Sequence, residues 1–194
     1  MAGPQYRHSG TIRLRVVPGG FATVREPDLR VEGTDLVAAE RVPLDGSTCV
    51  DLAATAGVDA GVPEGLYHDH SGVPPEEPLR VDPAAAAHLA ACFEAGDAAL
   101  RAFAAAAGSD ATPVLWPEHF DLGVTLDEVN YGLSPGDGYL GEPYAYVGPW
   151  KARQGAYWNA PFGAVRPLRE LSTVDALTRF YTTGRERAAT DPPA

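Results

Sequence analysis

The sequence has few of the residues that would mark several classes of protein. It has two cysteines in 194 residues, Cys49 and Cys92, which lie far apart and outside any C-x-x-C motif. Such a chain is not a disulfide scaffold, and it gives little support to thiol catalysis. No apolar run of about 18 residues occurs, so no membrane-spanning helix is expected. The N-terminal residues MAGPQYRHSG lack the apolar core of a secretory signal, and with the unpaired cysteines this predicts a cytoplasmic protein.

Basic residues are scarce as well. The chain has 15 Lys and Arg against 26 Asp and Glu, which gives a net charge of −11. Residues 102–150 contain no Lys or Arg, and their acidic residues are Asp110, Glu118, Asp121, Asp127, Glu128, Asp137 and Glu142. An acidic protein repels phosphate backbones and anionic lipids, so we expect neither a nucleic-acid nor a membrane partner. The acidic stretch is either a solvated face or a site that attracts cations or polar ligands.

Apolar residues make up 45% of the chain and charged residues 21%, as in a globular domain. Its length predicts a single domain over residues 1–194, with a β-rich lobe at 1–82 and an aromatic-rich β lobe at 109–194. Alternation predicts strands near 11–17, 21–24, 29–32, 35–40 and 42–44, followed by a short helix at 48–56 capped by Ser47. Later strands are predicted near 114–125, 129–134, 143–148 and 162–167.

A long helix over residues 83–107 is the strongest local prediction, and it would join the two lobes. Asp82 is a good N-cap, and Pro83 suits the first helical position. Apolar positions then recur at helical spacing, at Leu89, Phe93, Gly96, Leu100, Phe103 and Ala107. A second helix is predicted over residues 173–183, ended by Gly184. This order of elements predicts an α+β fold with antiparallel sheet pairing.

The predicted hairpin of residues 118–125 and 129–134 carries the candidate site. Pairing Phe120 with Leu133 and Leu122 with Tyr131 places the apolar residues on one face. The other face then holds His119, Asp121, Asn130, Ser134 and two glycines, which leave room for a ligand. We interpret His119 as an acid–base residue that Asp121 or Asp137 tunes or orients, with Asn130 and Ser134 hydrogen-bonding the ligand. The alternative is an ordinary solvent-facing side of a sheet, whose glycines serve twist or a bulge.

Other motifs add candidates to this site. The aromatic segment around Trp150 and Trp158, together with Asn159, could wall a ligand pocket or fill a small core. His68 and His70 could bind a divalent metal with Glu118, His119 or Asp121 as a third ligand, although a solvated loop is the default interpretation. Residues 132–136 match G-x-S-x-G, but the turn residues that follow Ser134 argue against a hydrolase elbow.

Four motifs, WPEHFDL, VNYGLSPGD, EPYAYVGPW and WNAPFGA, follow one another over residues 116–164. In order and spacing they resemble an uncharacterised bacterial family, a domain of unknown function with no known activity. The resemblance implies no role for any residue and no cofactor.

The sequence therefore predicts a protein that binds a small polar or cationic ligand at its acidic, aromatic C-terminal region, with or without acid–base catalysis. A non-enzymatic interaction or assembly protein is the alternative, and a divalent-metal protein is a third. Homo-oligomerisation is left open.

Overall fold

The computed structural model of the protein describes residues 1–61 and 73–194. Within them lie four α-helices: α1 (Ala2–Ser9), α2 (Cys49–Thr55), α3 (Pro83–Ala106) and α4 (Val174–Thr190). The strands are β1 (Leu14–Val17), β2 (Gly20–Thr23), β3 (Arg30–Glu32), β4 (Asp35–Val37), β5 (Arg41–Pro43), β6 (Val114–Trp116), β7 (Asp121–Leu126), β8 (Val129–Ser134), β9 (Tyr144–Pro149) and β10 (Ala164–Pro167). A 3₁₀ turn covers Leu168–Glu170.

The ten strands form one antiparallel sheet in the order β10-β9-β8-β7-β6-β1-β2-β3-β4-β5. Short turns connect most neighbouring strands, as hairpins require. The predicted α+β class, with a long central helix and a C-terminal helix, is confirmed. The chain divides by contacts into two compact units, residues 1–94 with 115–118, and residues 95–114 with 119–194. Whether residues 1–194 act as a single domain stays a prediction.

The first unit begins with helix α1, which is not among the elements predicted from the sequence. Gln5 explains why α1 is ordered. Its side chain is fully buried, and its Oε1 accepts hydrogen bonds from the backbone N–H groups of Val24 (2.7 Å) and Arg25 (2.8 Å). Its Nε2 donates to the carbonyls of Thr11 (3.0 Å) and Arg13 (2.8 Å). One amide thus satisfies four backbone groups and fixes α1 beside β1 and β2.

Helix capping follows the predicted chemistry at one helix and differs at another. Asp82 caps α3, because its Oδ1 accepts from the N–H groups of Ala84 (2.7 Å) and Ala85 (3.2 Å). At α2 the cap is Thr48 rather than the predicted Ser47, since the Thr48 Oγ1 accepts from the Asp51 N–H at 3.0 Å. A one-residue error of this kind is ordinary when two hydroxyl residues are adjacent.

Helix α3 buries most of its predicted stripe. Phe93, Leu100 and Phe103 are at most 1% exposed, whereas Leu89 and Ala107 at the ends are half-buried. Gly96 is the closest point of contact, because a Cβ there would lie 2.9 Å from the Leu133 Cδ1 atom. A side chain at this position would push the helix away from the β7–β8 hairpin.

Helix α4 runs past Gly184, so the prediction that this glycine ends the helix is wrong. Gly184 is buried inside the helix, and a Cβ there would lie 2.7 Å from the Val147 Cγ2 atom and 2.9 Å from the Tyr157 hydroxyl. The glycine therefore allows α4 to pack closely against β9. Its N-cap is Thr173, whose Oγ1 accepts from the Ala176 N–H at 3.1 Å.

The β7–β8 hairpin keeps its predicted faces but not its predicted register. Leu122 lies opposite Leu133, and Val124 lies opposite Tyr131. The two-residue turn, Asp127 and Glu128, has φ angles of 54° and 61°, which is the type I′ geometry that matches strand twist. The predicted pairing is wrong by two residues. Because side chains alternate with period two, this shift moves partners along the strands without exchanging the faces.

Candidate functional site

The two faces of strands β7, β8 and β9 differ sharply in chemistry. The face packed against α3 and α4 bears buried apolar side chains and Tyr131. The opposite face bears Asp121, Gly123 and Thr125 from β7, Asn130, Gly132 and Ser134 from β8, and Tyr144, Tyr146 and Gly148 from β9. This polar face holds the candidate site.

Tyr146 occupies the space that the glycines leave. A Cβ on Gly132 would lie 2.4 Å from the Tyr146 ring, and one on Gly123 would lie 3.2 Å from its hydroxyl. The ring therefore crosses both glycines, and its hydroxyl donates a short hydrogen bond to the Asp121 Oδ2 atom. The glycines admit a side chain of the protein itself, not the ligand that the sequence predicted there.

The half-buried carboxyl group of Asp121 has a pKa that is shifted upward. Burial raises its pKa, and this effect outweighs the hydrogen bond from Tyr146 and the charge of His119, which both lower it. The negative charge of Asp137 raises the pKa of Asp121 further. The pKa of the Tyr146 hydroxyl also lies well above its ordinary value, because it is buried and faces Asp121.

Asp137 is shifted in the opposite direction. Its Oδ1 accepts from the N–H groups of Tyr139 (2.8 Å) and Leu140 (3.1 Å), and its Oδ2 accepts from the Tyr144 hydroxyl at 2.6 Å. Desolvation opposes its ionisation, but these hydrogen bonds and the charge of His119 together lower its pKa. Asp137 thus has the lower pKa of the two carboxyl groups. Burial, with Asp137 in support, raises the pKa of Tyr144 to about 12.

His119 lies beside these groups but not on the strand where the sequence placed it. It is exposed in the turn of residues 117–120, and β7 begins only at Asp121. Phe120 has a φ of 53°, a left-handed conformation that ends strand alternation. The predicted pairing of His119 with Ser134 is therefore wrong. Its charge still acts on both Asp121 and Asp137, so we group His119, Asp121, Asp137, Tyr144 and Tyr146 as the acid–tyrosine cluster.

The other predicted site residues lie apart from one another: Ser134 at the cluster, Asn130 and Trp150 near the hairpin turn, and Trp158 and Asn159 elsewhere in this unit. Ser134 is buried at the edge of the cluster, where its Oγ accepts from the Gly136 N–H at 3.2 Å. Asn130 and Trp150 meet near the hairpin turn, where the indole Nε1 donates to the Asn130 Oδ1 at 3.3 Å.

Trp158 and Asn159 take structural parts elsewhere in this unit. The Trp158 indole donates to the Asp191 Oδ2 at 3.0 Å. The Asn159 side chain exchanges two hydrogen bonds with the backbone of Val165. Neither has a hydrogen bond with a member of the acid–tyrosine cluster among the contacts of residues 1–61 and 73–194.

The exposed aromatic rings of Tyr139 and Phe162 border the cluster, and neither residue was among the site residues predicted from the sequence. Tyr139 is 48% exposed and Phe162 is 42% exposed. Their ring centroids are 5.1 Å apart, and Tyr139 also lies 6.4 Å from Tyr144. For the two tyrosines of the cluster a sequence signal was available. Tyr144, Tyr146 and Gly148 alternate with small apolar residues, which places Tyr144 and Tyr146 on one face of the predicted strand.

The metal hypothesis rests on residues outside the described ranges, since His68 and His70 both lie between 61 and 73. In the described parts of the chain, no three His, Cys, Asp or Glu side chains are gathered as a metal site. Over the same residues, no helix combines the length and apolar character that crossing a membrane requires. Ser134 is followed by a loop and then β9, not by the helix that a nucleophile elbow needs.

No protein-family model matches the chain, and no curated protein and no solved structure is significantly similar to it. The fold and the cluster themselves define an α+β protein in which one face of the sheet carries two carboxyl groups and two tyrosines. The resemblance of its motif series to an uncharacterised bacterial family stays a prediction.

The two carboxyl groups should give the free energy of unfolding opposite dependences on pH. The folded pKa of Asp121 is raised above 3.8, so its contribution to stability falls as pH rises through that folded pKa. The folded pKa of Asp137 is lowered, so its contribution is present above pH 3.8 and is lost as pH falls through that folded pKa. Urea unfolding across a pH series should show that Asp121→Asn removes the first slope and Asp137→Asn the second. Equal pH profiles for Asp121→Asn and the parent would contradict the assignment.

Proposed function

We propose that the protein binds a small cationic ligand at the acid–tyrosine cluster, where His119 and Asp121 can exchange a proton with it. One observation carries this proposal: the carboxyl groups of Asp121 and Asp137 are each held by a tyrosine hydroxyl in one cluster, which exposed aromatic rings border. The pKa values of the two groups are shifted in opposite directions, which supports it. Such a pair provides one group that ionises more readily, suited to binding a cation, and one that holds its proton more tightly, suited to proton transfer.

Asp137 and the aromatic rings supply the binding. The carboxylate of Asp137 carries a negative charge at neutral pH and accepts a hydrogen bond from the backbone N–H of Tyr139. The exposed ring of Tyr139 contacts the rings of Tyr144 and Phe162. A cation against an aromatic face gains about 0.5–1 kcal/mol at an exposed site, and a nearby carboxylate adds to this. The cluster itself is built from residues 102–150, a stretch that contains no Lys or Arg to repel such a ligand.

His119 and Asp121 supply the proton chemistry. His119 is exposed and able to reach a bound ligand, whereas Asp121 is held by Tyr146 at the inner end of the cluster. The raised pKa of Asp121 suits it to proton exchange, and the hydrogen bond from the Tyr146 hydroxyl keeps its carboxyl group oriented. The cluster thus combines a surface acid–base group with a shielded one.

Benzylamine is a suitable probe, with benzyl alcohol as its neutral counterpart. We expect benzylamine to raise the thermal unfolding midpoint of the parent protein in a concentration-dependent way, because a ligand that binds the folded state stabilises it. Benzyl alcohol should have a much smaller effect. Asp137→Asn and Tyr139→Leu should each reduce the benzylamine shift, since they remove the charge and the exposed ring respectively.

Asp110→Asn is the matched control, because Asp110 is an exposed acidic residue outside the cluster. It changes the net charge as Asp137→Asn does and should leave the benzylamine shift unchanged. The proposal fails if benzyl alcohol stabilises the protein as well as benzylamine does. It also fails if Asp137→Asn and Asp110→Asn behave alike.

A further inference from the structure

A second concavity lies in the same unit, on the side of the hairpin that faces α4. It is a cleft of about 440 Å³ between the β7–β8 turn, the end of β9 and the C-terminal half of α4. This volume is within the range of small-molecule sites. None of the residues that line it belongs to the acid–tyrosine cluster.

Tyr131 lines this cleft and carries an unpaired hydroxyl. The residue is fully buried, with its ring 4.5 Å from that of Phe103. Among residues 1–61 and 73–194, its hydroxyl has no hydrogen-bond partner. The other buried hydroxyls nearby are paired, because Tyr181 donates to the Gly132 carbonyl at 3.1 Å and Tyr157 to the Phe180 carbonyl at 3.0 Å. Buried polar groups are nearly always satisfied, so this one indicates a missing acceptor.

Arg185 brings a positive charge to the same place. Its Nε and Nη2 contact the Asp127 Oδ2 at 3.0 and 2.8 Å, and neither contact uses Nη1. The Arg185 and Asp127 side chains are both well exposed, so their ion pair is weak and Arg185 can exchange Asp127 for another carboxylate. Burial raises the pKa of the Tyr131 hydroxyl. The charge of Arg185 opposes that shift, and the charge of Asp127 adds to it.

We propose that this cleft binds a small organic carboxylate, with one carboxylate oxygen accepting from the Tyr131 hydroxyl and the group pairing with the Arg185 guanidinium. A guanidinium fork and a hydroxyl together provide the donors that a carboxylate uses. Binding would satisfy the one buried tyrosine hydroxyl that the described residues leave unpaired.

The charges that line the cleft are balanced, which argues against a multiply charged ligand and suits a small one with an apolar body. Lys151, Arg153 and Arg185 are balanced there by Asp127, Glu128 and Glu186. Lys151 lies 3.9 Å from Glu128, and Arg153 donates to the Ala188 carbonyl at 2.9 Å. A multiply charged phosphate would meet three carboxylates without a matching excess of cations. Val129, Pro149 and Ala188 supply apolar wall for an alkyl or aryl group.

Benzoate is the probe, with benzamide as the uncharged counterpart, and titration calorimetry or ligand-detected NMR measures binding. We expect benzoate to bind the parent protein more tightly than benzamide. Tyr131→Phe should weaken benzoate binding by about tenfold, and Arg185→Gln by at least that factor. Tyr131→Phe should fold normally, because it deletes a hydroxyl that has no partner and leaves the ring in place.

Arg179→Gln is the matched control, since Arg179 is an exposed arginine of α4 outside the cleft. It should leave benzoate affinity unchanged. The proposal is overturned if benzoate does not bind, if benzamide binds equally well, or if Tyr131→Phe and Arg185→Gln retain parental affinity. Asp137→Asn should not alter benzoate binding, so the outcome here is independent of the proposal for the acid–tyrosine cluster.

Discussion

Replacing Phe103 with alanine is expected to lower the free energy of unfolding by about 3–5 kcal/mol. Phe103 is 1% exposed, and its ring packs 4.5 Å from Tyr131 and 5.9 Å from Tyr181. The substitution would remove the ring that joins α3 to both α4 and β8, and it would leave a cavity that these rings cannot fill without moving. Equilibrium unfolding in urea, followed by circular dichroism, measures the loss.

Two further variants separate packing from helix propensity. Phe103→Leu keeps much of the volume and should cost clearly less than Phe103→Ala. Ala102→Ser changes the adjacent exposed position of α3 and should alter stability by no more than about 0.5 kcal/mol. If Phe103→Ala cost less than about 1 kcal/mol, the ring would not be packed as the structure shows.

Substituting Gly132 with alanine should cost about 1–3 kcal/mol and displace Tyr146. The new Cβ would lie 2.4 Å from the Tyr146 ring and 2.5 Å from the Leu122 carbonyl oxygen, so the ring must move away from β8. Its hydroxyl would then leave Asp121 and become more exposed. A spectrophotometric tyrosine titration should show one tyrosine whose pKa moves from well above 10 towards that ordinary value.

Gly138→Ala is the control for this substitution. Gly138 lies in the loop before β9, and a Cβ there would meet no atom within 4 Å. Its alanine variant should keep the parental stability and tyrosine titration. If Gly132→Ala titrated like Gly138→Ala, the position of the Tyr146 ring across the glycines would be wrong.

The parts of the fold that were predictable are those with a strong local period. Helix α3 has a capping aspartate, a proline at its first turn and apolar residues at helical spacing, so its bounds and buried face followed from sequence alone. The strands of the β7–β8 hairpin followed from alternation in the same way. Alternation fixes which residues share a face, and this is why the face assignment is correct although the register is not.

The register and the length of α4 depended on information that local patterns do not carry. The hairpin turn uses Asp127 and Glu128 at positive φ, a conformation in which glycine or asparagine would be the usual signal. Gly184 resembles a helix-ending glycine in the sequence, but its function is to admit the side chain of Val147 from another element. Only the packed structure distinguishes these two uses of glycine.

The candidate site was partly predictable for the same reason. Asp121 and Ser134 lie on the polar face of the hairpin, as alternation indicated, and Asp137 lies beside them. Tyr146 was missed because its position depends on the pairing of β8 with β9, where it lies opposite Gly132. Tyr131 was assigned to the core, which is correct for its ring, but a sequence cannot show that its hydroxyl lacks a partner.

The strand order also bears on how the protein behaves at high concentration. The outermost strands of the described sheet are β5 and β10, with three and four residues, and each ends in a proline, Pro43 or Pro167. Proline has no N–H to offer to an incoming strand, and strands this short present few backbone groups. Growth of the sheet by addition of a strand from another molecule is therefore disfavoured at both margins, and the net charge of −11 adds mutual repulsion between copies.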